Sequence, residues 1–137
     1  SAPFDLEDFR VRVAQQIYVR QGGVAFRTAA LRNFDRRCAI TGCDVVPVLE
    51  AAHIVPYLGA HTNAEDNAML LRADLHTLFD QHLMSISPIS LAVELDDSLK
   101  TSLYADLIGR VVGISRASSP QTLRQRLLER ARVFEGK

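Results

Sequence analysis

Long apolar runs are missing from this 137-residue chain, and so is a basic leader followed by an apolar stretch. The first absence leaves no segment able to span a membrane, and the second leaves no visible secretion signal, so a cytoplasmic protein is the expectation. A start at Ser1 also fits an expression scar or a fragment of a longer protein, whose targeting information would then be missing. Cysteine is scarce: Cys38 and Cys43, in RCAITGC, are the only two. Both are expected to be reduced and buried near the turn at Thr41 and Gly42. Repeats, low-complexity tracts and long linkers are absent too, so nothing in the sequence divides the chain. With 47% hydrophobic and 23% charged residues it reads as one ordered domain, residues 1–137, with a real core.

Net charge is lacking as well, since 16 Lys and Arg balance 16 Asp and Glu. The balance conceals segregation. Residues 1–37 carry seven Arg against four acids (+3), residues 115–137 five Arg and one Lys against two Glu (+4), and the centre is therefore −7. An acidic centre can hold a metal while basic flanks meet phosphates, although the same arginines can equally be the wet faces of amphipathic helices.

What the chain does have is a stretch dense in chemistry, EAAHIVPYLGAHTNAEDNAMLLRADLHTLFD, from Glu50 to Asp80, which holds three of the four histidines. An alternating apolar run, Val46 to Val55, leads through Pro56 into a polar loop, and a short apolar run, Ala68 to Leu71, follows Asn67. This predicts strand, loop, strand. Asp74 is then placed to cap a helix with Leu75, Leu78, Phe79 and Leu83 as its buried stripe, leaving His76 and Asp80 four residues apart on one flank.

The order AHIVP, then Asn67 in EDNAMLLR, then His76 in DLHTLFD resembles the His-Asn-His (HNH) nuclease superfamily. RCAITGC and LHTLFDQHLMSIS on either side are similar to the branch found as a nuclease domain in restriction enzymes, some of which cut modified DNA. The resemblance covers about residues 26–95. It implies an α+β fold in which a ββα-metal core grips one divalent ion between hairpin and helix. It also implies cleavage of DNA to 5′-phosphate and 3′-hydroxyl ends.

On that resemblance His53 is the general base, a role suited to an imidazole titrating near neutral pH. Asn67 either bridges the hairpin and fixes the His53 ring or gives its carbonyl oxygen to the metal. His76 is the first metal ligand and Asp80 the second, a pair that suits Mg2+, Mn2+, Ni2+ or Zn2+. Many relatives have Asp or His before the base, where this chain has Ala52. Glu50, on the same face by strand alternation and about 6 to 7 Å away, is the candidate replacement. His61 and His82 are further options, with solvent exposure the ordinary expectation for each. Many relatives also hold a structural zinc with two Cys pairs, but here the second pair is absent, so no such zinc is expected.

Elsewhere, Phe4 to Arg20 reads as a helix with Leu6, Phe9, Val13 and Ile17 on one side, ended by Gln21, Gly22 and Gly23. A second helix, about Val24 to Phe34, turns Phe26, Ala29, Ala30 and Phe34 inward, and both helices are expected to pack on the ββα unit. After it, LMSIS and ISLAVEL predict an extra hairpin with Ile89, Leu91, Val93 and Leu95 on one face. A helix over Ser98 to Ile108 and a strand over Val111 to Ile114 follow. In the last helix Ser119 caps, Pro120 opens, and Leu123, Leu127, Ala131 and Phe134 face in. Its Arg124, Arg126, Arg130 and Arg132 are the candidate DNA phosphate contacts.

The expectation is thus a metal-dependent DNA endonuclease, with specificity supplied by a fused or partner recognition domain and a dimer compatible with the sequence. Two other classes compete: a DNA-binding module made inactive by Ala52, and a zinc-stabilised interaction module built on Cys38 and Cys43.

Overall fold

The computed structural model describes residues 4–135. Its first helix, α1 (Leu6–Arg20), starts where the Asp5 carboxylate accepts hydrogen bonds from the backbone N–H groups of Glu7 and Asp8 at 3.0 and 3.3 Å. The helix forms as its periodicity predicts, but none of its residues is buried. It meets α2 (Gly23–Asn33), and the Tyr18 hydroxyl donates to the Gly23 carbonyl at 2.9 Å. Of the two, α2 is the one that buries side chains, Phe26 and Ala30, and it packs on both strands of the sheet described next. The link between the helices turns at Gly22, whose φ of 75° suits glycine.

Strands β1 (Leu49–His53) and β2 (Ala68–Arg72) form an antiparallel pair, with Leu49 opposite Arg72 and His53 opposite Ala68. Helix α3 (Ala73–Asp80) follows β2 with no intervening loop and lies against both strands, burying Leu75 and Phe79. Asp74 does not cap it. Arg72 stands at that position, and Asp74, two residues on in the first turn, accepts from Arg72 Nε at 2.7 Å and from the Tyr104 hydroxyl at 2.9 Å.

A second antiparallel pair, β3 (Met84–Ile86) and β4 (Val93–Leu95), closes the extra hairpin. Leu91, Val93 and Leu95 turn inward as expected, but Ile89 is 85% exposed. It sits in the turn, where the Ser87 hydroxyl accepts from the backbone N–H groups of Ile89 and Ser90. The helix expected over Ser98 to Ile108 is replaced by two short 3-10 turns, Asp97–Leu99 and Ala105–Leu107. The strand expected over Val111 to Ile114 is reduced to one bridge between Ala92 and Val111.

Helix α4 (Pro120–Glu135) begins at Ser119, whose hydroxyl accepts from Thr122 N at 3.1 Å. It buries Leu123, Leu127 and Arg130, while Ala131 stays exposed. The result is an α+β architecture with one core cluster running from Phe26 and Ala30 through both strand pairs to Leu123 and Leu127. No helix among the described residues is long and apolar enough to cross a membrane.

Candidate active site

The end of β1 presents His53 beside α2. Its ring lies almost flat on Phe26, with centroids 4.1 Å apart and planes 8° from parallel, and Tyr57 meets it at an angle at 5.7 Å. Nε2 is 2.8 Å from Asn63 Oδ1. Burial holds the His53 pKa below its ordinary 6.5, against the opposing pull of the Asn63 hydrogen bond and the Asp80 charge. The imidazole is therefore neutral at neutral pH.

His76, in the first turn of α3, stands between two carboxylates. Its Nδ1 is 2.7 Å from Glu50 Oε1 and its Nε2 3.1 Å from Asp80 Oδ2. The Asp80 hydrogen bond, with that of Glu50, outweighs burial and raises the His76 pKa above 6.5. His53, Tyr57, His76, Asp80, Arg130 and Phe134 line a common cavity of about 310 Å³. Glu50 faces a different hollow, shared with Tyr18 and Arg27. It meets the Nδ1 side of the His76 ring, and Asp80 the Nε2 side.

Ala52 is 0% exposed and belongs to the core, with Met69 as its strand partner. No group of three or more His, Cys, Asp and Glu side chains converges as a metal cluster among the described residues. The donor pair that faces the cavity is His76 Nε2 with Asp80. Two such donors fit a divalent ion whose remaining positions are filled by water and phosphate oxygens, and do not fit a closed structural site.

Asn67 is fully buried and its groups are spent inside the hairpin. Its Oδ1 accepts from Val55 N at 2.8 Å, and its Nδ2 donates to the carbonyls of Val55 at 2.9 Å and Thr62 at 2.8 Å. It bridges the loop, while the side chain on the His53 ring is Asn63. The sequence offers no signal for Asn63 beyond its place in a polar loop.

The α4 arginines divide. Arg130 is 8% exposed and donates to Ile54 O at 3.0 Å and Phe79 O at 2.7 Å, with its guanidinium 3.7 Å above the Phe79 ring. Arg126 pairs with Asp66 at 2.6 Å. Arg124 and Arg132 are exposed and form no ion pair among the described residues. His61 is exposed, and His82 meets the edge of Phe134 at 4.0 Å. Cys38 is buried and Cys43 half-buried in the turn, both as free thiols.

Two antiparallel strands followed by a helix, with a neutral histidine on the first strand and a histidine-carboxylate pair on the helix, make a nuclease-type unit. Residues 38–87 match the family described as HNH endonuclease, a match that supports a place in the HNH superfamily for this segment. A search of curated proteins finds no match.

Proposed function

We propose that the chain is a metal-dependent endonuclease that hydrolyses phosphodiester bonds in DNA, acting as the cleavage domain of a restriction enzyme, including the kind directed at modified DNA. The observation that carries this reading is that neutral His53 and the His76–Asp80 pair line one cavity. His53 takes the proton of the attacking water, for which it must be uncharged. Glu50 accepts the Nδ1–H of His76, since a carboxylate can only accept, and so turns the Nε2 lone pair toward Asp80 and the cavity. His76 and Asp80 would hold Mg2+, Mn2+, Ni2+ or Zn2+, and such an ion, when bound, supplies charge stabilisation at phosphate and at the departing 3′ oxygen. Arg130 adds a buried positive charge to the cavity wall.

The test is plasmid nicking with each ion against an EDTA control. His53→Ala is expected to abolish cleavage while calorimetric metal affinity is retained, and His76→Ala to lose both. Wild type that cuts with no ion would sink the reading. Ala52 favours a second one, a nuclease-derived module that binds DNA without cutting it, and that same null result combined with retained DNA binding would establish it.

A further inference from the structure

Neutral imidazole can act as a base through only one of its nitrogens, and the other carries the proton. Which is which depends on what the protonated nitrogen is given to hold. At His53 the partner is Asn63, whose amide has one accepting end and one donating end and could face the ring either way round.

The other end of the amide decides the matter. Asn63 Nδ2 donates to the backbone carbonyl of Gln21, the residue that ends α1. A carbonyl oxygen accepts and never donates, so the amide nitrogen must lie on that side. Reversing the amide would set two oxygens against each other there. Oδ1 is consequently the atom facing His53, and since Oδ1 cannot donate, Nε2 of His53 must. The lone pair is left on Nδ1.

The surroundings fix the same arrangement mechanically. The ring is stacked on Phe26, which holds its plane, and a half-turn within that plane would put Cε1 in place of Nε2 and lose the 2.8 Å Asn63 hydrogen bond. Gly22 leaves room for the amide, because a Cβ there would stand 3.0 Å from Asn63 Nδ2 on a backbone already at φ +75°.

We infer that Asn63, itself held by the Gln21 carbonyl, is a positioning residue that locks His53 in the Nε2–H tautomer and leaves Nδ1 as the proton acceptor. The inference rests on the nuclease reading for its catalytic consequence, but the tautomer can be read without any cleavage. It also gives the α1–α2 junction, which lies outside the strand-strand-helix unit, a direct part in setting the reactive nitrogen.

The experiment is a long-range proton–nitrogen NMR correlation of the imidazoles in 15N-labelled protein, at a pH well above the imidazole range so that the rings are neutral. In wild type, His53 Nε2 is expected at the shift of a protonated ring nitrogen and Nδ1 at that of a bare one. Asn63→Ala should move both toward tautomer-averaged values. Asn63→Asp keeps an acceptor for Nε2–H but sets an oxygen against the Gln21 carbonyl, so it should retain the Nε2–H pattern at some cost in stability, and a backbone amide spectrum of Asn63→Ala that otherwise overlays wild type shows that its change is not a loss of fold. Cleavage by Asn63→Ala should fall about 10- to 100-fold with metal affinity unchanged, the usual cost of losing a partner that orients an active-site histidine. A wild-type His53 protonated on Nδ1, or shifts that do not respond to Asn63→Ala, overturns the inference. If the shifts respond as expected and wild type cuts no DNA with any ion, the tautomer lock stands and the nuclease reading alone falls.

Discussion

A histidine gives up its proton when burial outweighs its partners and keeps it when carboxylates outweigh burial. His53 and His76 line one cavity and fall on opposite sides of that balance. The consequence for stability follows from linkage. Because the His76 pKa is raised in the fold, its contribution is fully present below the ordinary 6.5 and is lost as pH rises through the folded value. In EDTA, therefore, the destabilisation caused by His76→Asn should be largest below 6.5 and shrink at higher pH, as measured by urea midpoints across a pH series. His53 works in the opposite sense, since its depressed pKa makes stability fall as pH drops below 6.5, but the His76 charge is the smallest of the influences on it, so most of that effect is common to both proteins. A difference flat with pH would mean that the imidazolium is not bridged. At this scale the sequence carries a good deal. His76 and Asp80 are one helical turn apart, and His53 stands out through the motif order that carries the resemblance, not through its position on a strand end. Asn63 is not legible, because in HTNAEDN an asparagine has the ordinary meaning of a turn residue, and only closure of the chain brings that turn against Gln21 and His53.

Elements acquire their roles through neighbours that are remote in sequence, and α4 shows this most directly. Its Arg130 guanidinium reaches the carbonyl of Ile54, next to His53, and that of Phe79, next to Asp80. One side chain thereby ties the end of the strand carrying His53 to the helix carrying His76 and Asp80. Arg130→Met keeps the apolar stem but removes the donors from buried carbonyls, and should cost on the order of 3 kcal/mol. Arg124→Ala and Arg132→Ala should change stability by less than about 0.5 kcal/mol. Urea unfolding of the three variants checks both expectations, and a near-neutral Arg130→Met would remove the clamp. Periodicity alone makes all the α4 arginines look like an outer face, because it places a residue on a side of its helix without saying what crosses that side. The same limit applies to α1, whose apolar spacing is genuine but whose stripe is uncovered. In Ser98 to Ile108 the local chemistry competes with the helix: Ser98 N donates to the Asp96 carboxylate, and the Ser102 hydroxyl both donates to Leu99 O and accepts from Tyr104 N. Such bonds satisfy the backbone in turns, and the apolar spacing cannot overcome them.

Across the whole molecule the segregated charge turns out to be partly spent within the fold. Arg32 pairs with Glu65, Arg126 with Asp66, and Arg116 with Asp35, so basic flanks neutralise acids of the centre and of the α2 end instead of standing free. With a formal net charge of zero, attraction to a polyanion has to come from the arginines left over. On the nuclease reading, Arg124 and Arg132 of α4 are the ones to test, being exposed and unpaired among the described residues, on the helix whose Arg130 reaches the cavity. A phosphate contact displaces condensed counterions, and each one lost should lower the slope of log affinity against log salt by about one. Arg124→Ala and Arg132→Ala are thus each expected to reduce that slope by about one for duplex DNA, in EDTA so that no cutting intervenes, with little change in stability. Arg126→Ala should do the reverse, weakening the fold through the loss of its ion pair with Asp66 and leaving the slope nearly unchanged, because its charge is already matched. Fluorescence anisotropy over a salt series separates the two behaviours. If the slope is unmoved in Arg124→Ala and Arg132→Ala, DNA does not lie along this helix.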